Sequence, residues 1–159
     1  MASPDNRLRI SWYKWWRLMR QLRLRGAGIR ESGAFLLGSR TVTCGWVTDF
    51  VFYDDIDPYA LAQGHVHLAG AALNRVWDRC SATGLEVIAD VHTHPGSSGQ
   101  SLSDQNHPMI AIRGHTALIV PNFASSVLNL RGIGIYRHLG ARKWISLPSP
   151  RAGLRGLKL

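Results

Sequence analysis

Near its start the chain repeats apolar residues every three to four positions. Over residues 8–25, Trp12, Trp15, Trp16, Met19 and Leu22 fall near helical spacing, with Lys14, Arg17, Arg20 and Arg23 elsewhere on the wheel. The spacing predicts an amphipathic helix capped by Ser11 and stopped at Gly26-Ala27-Gly28. The period then shortens. Ser32 to Gly38 and Thr41 to Tyr53, the second rich in Val, Thr, Trp and Phe, predict two strands joined through Ser39-Arg40, and Asp54 to Pro58 breaks the pattern. Residues 65–83 return to helical intervals through Leu68, Leu73, Val76, Trp77 and Cys80, and Gly84 closes that second helix.

Leu85 to His94 predicts a strand that runs into a Gly/Ser-rich loop, Gly96 to Ser101, and further strands are expected at 115–120, 132–137 and 143–147. The prolines and glycines from Pro148 onward suggest a tail. The expected organisation is one domain over 1–150 with a C-terminal tail at 151–159. The order of elements argues for an α/β fold: a single-domain mixed, largely antiparallel sheet flanked by helices.

Composition supports this and narrows the class. At 159 residues and 45% hydrophobic, the chain can bury a core without disulfides, and repeats and low-complexity runs are absent. Cys44 and Cys80 make at most one bridge and lack Cys-x-x-Cys spacing, so they read as reduced core residues. No signal-like apolar run opens the sequence and no stretch reaches the ~18 apolar residues of a membrane helix, so a soluble, cytoplasmic protein is expected.

The formal charge of +9 comes from sixteen arginines and three lysines, many of them in Arg7 to Arg30 and Arg137 to Lys158. No RNP-type, zinc-finger or helix-turn-helix pattern accompanies them, so the first reading is a solvated basic surface rather than a nucleic-acid site. An interfacial membrane helix is the sharper alternative for residues 8–25.

His92 and His94 alternate with Thr93 on a predicted strand, which turns both imidazoles to one face about 6–7 Å apart. A carboxylate from Asp104 completes three nitrogen and oxygen ligands, and three ligands leave a zinc ion one open position, the pattern of a catalytic site. The reaction class implied is hydrolysis of an acyl bond. Only two glutamates exist to serve as base. Glu86 stands six residues before His92 on the same strand, about 20 Å away, which leaves Glu31. Asp90 shares the histidines' face and is read as a partner behind the site or a buried polar group.

His65-Val66-His67 repeats the His-x-His spacing, but at a helix start the two side chains diverge by ~200°, so they are read as surface or helix-start histidines. Asn106, His107, His115 and His138 are read as structural.

Glu31-Ser-Gly-Ala-Phe-Leu-Leu-Gly38 followed by His92-Thr-His-Pro95 and Ser101-Leu-Ser-Asp104 resembles the JAMM motif of the JAB/MPN zinc metalloproteases. The resemblance implies a cytidine-deaminase-like layering, one Zn²⁺ per chain on His92, His94 and Asp104, Glu31 acting on water, and Ser101 assisting the oxyanion. The loop from Pro95 to Ser101 is one residue shorter than the family pattern, which makes Ser103 a competitor for the serine's role. Pro121-Asn-Phe-Ala124 adds a likeness to short bacterial members encoded beside ubiquitin-like proteins and their activating enzymes in antiviral operons. That likeness implies an isopeptidase acting after the C-terminus of a ubiquitin-like protein or its conjugates, with activating and conjugating enzymes as further partners. Its rivals are a zinc hydrolase of a small amide or sulfur-carrier conjugate, a basic nucleic-acid binder, and a metal-free scaffold of the same fold.

Overall fold

The computed structural model describes residues 7–159. Its centre is a nine-stranded sheet in the order β7-β6-β5-β4-β2-β3-β1-β9-β8. The strands are β1 (Arg7–Ile10), β2 (Gly33–Arg40), β3 (Cys44–Phe52), β4 (Glu86–Thr93), β5 (Thr116–Val120), β6 (Gly134–Gly140), β7 (Lys143–Leu147), β8 (Arg151–Gly153) and β9 (Gly156–Lys158). Pairing is antiparallel except for β1 with β3 and β4 with β5. The sheet curls, so that Arg7 and Lys158 from one end and Arg137 and Leu147 from the other line one hollow.

The central strand β2 explains the layering. Gly-Ala-Phe-Leu-Leu-Gly is apolar without alternation because both faces are covered. Ala34 and Leu36 face helix α1 (Trp12–Gly26), which buries Trp15, Leu18, Met19 and Leu22 against them. Phe35 and Leu37 face the opposite layer, formed by the short α2 (Tyr53–Ile56) and α3 (Leu73–Thr83). Each fully buried aliphatic or aromatic side chain contributes about 1.5–3 kcal/mol. The mixed, largely antiparallel sheet flanked by helices expected from the sequence is the fold observed.

Several elements begin elsewhere than the sequence pattern suggests. Helix α1 starts at Trp12 with Ser11 as its cap, while Arg7-Leu-Arg-Ile10 alternates exposed and buried side chains as a strand. Trp12 and Trp16 lie 37% and 48% exposed, outside the core. Residues 151–159, read as a tail, form the β8–β9 hairpin, because β1 leaves an open edge whose backbone groups need partners; Leu8 and Leu159 exchange both backbone bonds. The second helix starts at Leu73 after a 3-10 turn at Gly70–Ala72, not at His65. Upstream, the His67 N–H donates to the Ala60 carbonyl and the Ala69 N–H to Asp57, so those donors serve a loop.

Candidate metal centre

Strand β4 carries His92 at its end, and His94 follows it immediately. The His94 N–H donates to the Val120 carbonyl of β5, while the Thr93 N–H donates to Ser32, so the neighbouring strands fix both histidines. The next segment is held from behind by Asn122, Phe123 and Ala124, all in the left-handed region at φ 53°, 51° and 58°. In this strained turn the Asn122 and Phe123 N–H groups donate to the Gly96 and His94 carbonyls. The Tyr136 hydroxyl donates to the Ser98 carbonyl at 2.7 Å, which pins the middle of the Gly/Ser loop.

Helix α4 (Leu102–Asn106) supplies the carboxylate. Asp104 occupies its third position and Ser101 its cap, and each accepts a hydrogen bond from the other's backbone N–H. The carboxylate then spans the two imidazoles: Oδ1 lies 3.2 Å from His92 Nε2 and Oδ2 lies 3.3 Å from His94 Nε2. The two Nε2 atoms are 3.0 Å apart.

This triangle fits a metal ion. Donors bound at about 2.0–2.1 Å in a tetrahedron stand about 3.3 Å from one another, close to the spacing observed. Each Nε2 has a single in-plane direction, for either a lone pair or a proton, so it cannot form two linear hydrogen bonds at once. One cation between the two Nε2 atoms and the carboxylate would satisfy all three side chains. Without it, burial pushes the Asp104 carboxyl upward, but the His92 and His94 hydrogen bonds outweigh this and hold it far below the usual carboxylate range. The hydrogen bond to Asp104 in turn raises His94 above its ordinary value. Nδ1 of His92 is buried with no hydrogen-bond partner among the described residues, so packing orients that ring.

Glu31 stands at the triangle's edge. Its Oε1 lies 4.0 Å from His94 Nε2, and its Oε2 accepts from the Val66 N–H at 3.3 Å. The Glu31 N–H donates to the Gly64 carbonyl, so the same loop grips backbone and side chain. Glu86 lies at the far end of β4 and pairs with Arg40. Ser101 and Ser103 are both exposed; Ser103 lines the groove that opens onto Glu31, His92 and Asp104, and so do His65, His67 and His107. This groove measures about 480 Å³.

Behind the centre, Asp90 and His115 form a buried pair, Oδ1 to Nε2 at 2.5 Å, with the Tyr53 hydroxyl 3.4 Å from Oδ2. Burial first, and then the Asp90 charge, push the Tyr53 hydroxyl well above its usual range. Gly33 is required here: a Cβ would overlap the Tyr53 ring and the Val91 carbonyl. Sequence reasoning missed Tyr53 and the Gly64–Val66 loop, which carry no motif, and gave Asp90 no partner. Among the described residues, His138 contacts the Ile112 carbonyl, and Cys44 and Cys80 are free and half-buried.

No protein-family model matches the chain. Over 66 residues it is 32% identical to the probable metalloprotease y4jG of Sinorhizobium fredii (strain NBRC 101917 / NGR234). The match spans 42% of this chain and 41% of that protein. Two solution structures share the fold. Protein DSY2949 from Desulfitobacterium hafniense aligns with a TM-score of 0.62 at 13% identity, covering 89% of this chain and 90% of its own. A protein from Salinibacter ruber aligns at 0.52 and 19% identity, covering 87% and 93%. Among the described residues, no helix is long and apolar enough to cross a membrane.

Proposed function

We propose that this protein is a zinc-dependent peptidase of the JAMM type, which hydrolyses the bond after the C-terminus of a ubiquitin-like protein or its conjugates. The observation that carries the reading is the position of Glu31, a half-buried carboxylate with one oxygen tethered to Val66 and the other facing the His92–His94–Asp104 triangle. A structural metal site has no use for a second carboxylate held just outside bonding range. The partial likeness to a probable metalloprotease supports the same chemistry.

His92, His94 and Asp104 would hold the ion, and two imidazoles with one carboxylate suit zinc. When bound, zinc supplies Lewis acidity to a carbonyl and lowers the pKa of water. Glu31 takes the proton from water at Oε1 and returns it to the leaving amine. The Ser101 oxygen accepts from the Asp104 N–H, and its own hydrogen remains available to donate to the carbonyl oxygen as charge develops there. The groove beside Glu31, with Val66, Leu68 and Met109 in its walls, is where an extended chain terminus would lie in this reading.

The test is to incubate the purified protein with a ubiquitin-like protein extended past its C-terminal glycine, with and without chelator. Chelator-sensitive release of the extension is expected, with one zinc per chain by elemental analysis. Glu31→Gln is expected to keep the zinc and lower turnover by about 10²–10⁴. Near wild-type turnover by that variant overturns the role of Glu31, and cleavage that persists undiminished in chelator overturns the zinc reading.

A further inference from the structure

The charges of this chain are segregated. Residues 7–30 carry eight Lys/Arg and no Asp or Glu, and residues 105–159 again carry eight and none. Residues 31–104, which contain the candidate metal centre, hold nine acidic residues and three basic ones. Folding joins the two basic segments, because β1 pairs with β9 and the Trp12 indole N–H donates to the Gly153 carbonyl at the end of β8.

The joined face has shape as well as charge. Arg9, Trp46, Arg155 and Lys158 line a hollow of about 340 Å³. The Arg9 guanidinium lies over the Trp46 ring at 5.4 Å, and its Nε is buried without a hydrogen-bond partner. Among the described residues, no ion pair involves Arg9, Arg155 or Lys158. Helix α1 packs on the opposite sheet face, beside Leu8 and Ile10, with Trp12 touching Gly153 at the rim of the hollow, and its exposed side carries further cation–ring pairs. Tyr13 and Trp16 stack at 6.5 Å, with Arg17 over the first ring at 5.7 Å and Arg20 over the second at 5.8 Å. These two rings are 65% and 48% exposed.

We propose that the hollow between Arg9, Trp46, Arg155 and Lys158 binds single-stranded nucleic acid. Cations around a ring match what such a strand offers, a phosphate at every step and a base to stack between. A guanidinium resting on the ring directs its N–H groups to phosphate while one ring face stays open. The hollow itself favours a flexible strand over a bilayer, which meets convex apolar tips. The site is separate from the metal centre: Gly33 pairs with His92 and Ser39 with Trp46, six residues further along β2, or about 20 Å.

The experiment is fluorescence anisotropy of the full chain with a labelled 20-nucleotide oligo-dT, oligo-U and a 20-base-pair duplex. Single strands are expected to bind in the micromolar range at 50 mM salt, with affinity falling about fifty-fold by 200 mM if four phosphates are engaged. The exposed pair Arg155→Glu/Lys158→Glu is expected to weaken binding at least tenfold. Trp46→Leu is expected to weaken single strands at least threefold at unchanged charge. The control Arg113→Glu/Lys143→Glu, away from the hollow, is expected to change affinity less than threefold, and unchanged melting curves confirm folding of every variant. No binding at 50 µM protein, an equal loss in the control, or tighter binding of duplex with no effect of Trp46→Leu each overturns the proposal. So does preferential binding to phosphatidylserine vesicles that Leu154→Glu, at the exposed hairpin tip, abolishes.

Discussion

Ser101 and Asp104 cap each other: the Ser101 N–H donates to Asp104 Oδ2 at 2.7 Å, and the Asp104 N–H donates to Ser101 Oγ at 3.1 Å. The same Oδ2 faces His94, so the box that starts α4 also aims the proposed ligand. The short Pro95–Ser101 loop therefore leaves Asp104 in place, because the helix start sets its position.

Ser101→Ala removes one half of that box and is expected to destabilise the protein by about 0.5–2 kcal/mol. Zinc content should persist, since the Ser101 N–H still holds Asp104. If Ser101 donates to the oxyanion, the variant loses about 10²–10³ in kcat, while Ser103→Ala changes kcat little. The reverse ranking assigns the role to Ser103, which lines the groove.

The Asp90–His115 pair makes a stability prediction distinct from catalysis. Both side chains are buried, and Tyr53 reaches the second carboxylate oxygen. Asp90→Ala leaves His115 without its acceptor and is expected to lose about 3–5 kcal/mol, a drop in Tm of roughly 6–20 °C. Tyr53→Phe breaks only the 3.4 Å contact and should lose no more than about 1.5 kcal/mol. Calorimetric melts of both variants decide it, and equal losses would contradict the assignment of Asp90 as the central member.

The turn between β6 and β7 is strained by its residues. Ala141 and Arg142 are exposed, with φ of 48° and 60°. For residues with a Cβ this region is unfavourable by about 1–2 kcal/mol each, and Asn-Gly is the favoured pair for such a turn. Ala141→Asn/Arg142→Gly is expected to raise Tm by roughly 2–8 °C. An unchanged or lower Tm would show that the exposed side chains contribute more than the backbone strain removes.

Legibility from sequence followed the range of each interaction. His92 and His94 were legible because a strand imposes its period locally, and Asp104 because the segment Ser101-Leu-Ser-Asp104 follows them as in the JAMM motif it resembles. Glu31 emerged from scarcity, since Glu86 shares a strand with the histidines. The rest depended on partners far along the chain. β1 and β9 are four and three residues long, too short for a pattern, and exist because Leu8 meets Leu159. Leu68 fits helical spacing, yet Val66 and Leu68 pack on the core from a loop whose backbone bonds reach Glu31 and Ala60. Asp90 showed its face but not His115, which arrives from the next strand's entry.

Protons and metal compete for His94. In the metal-free protein the Asp104 hydrogen bond raises the imidazole, so this contact stabilises the fold below the unfolded-state value of about 6.5, and its contribution is lost as pH rises through the higher folded-state value. Asp104, held far below the usual carboxylate range, stays ionised throughout pH 5–8. A metal needs the free lone pair at His94 Nε2, so below the folded-state pKa each binding event releases a proton from this ring. Apparent zinc affinity should then fall about tenfold per pH unit on the acid side and level off on the alkaline side. Competition titration with a colorimetric chelator from pH 5.5 to 8 reads this slope directly, and His94→Ala should both weaken binding and flatten the profile. An affinity independent of pH across that range would remove His94 from the ligand set.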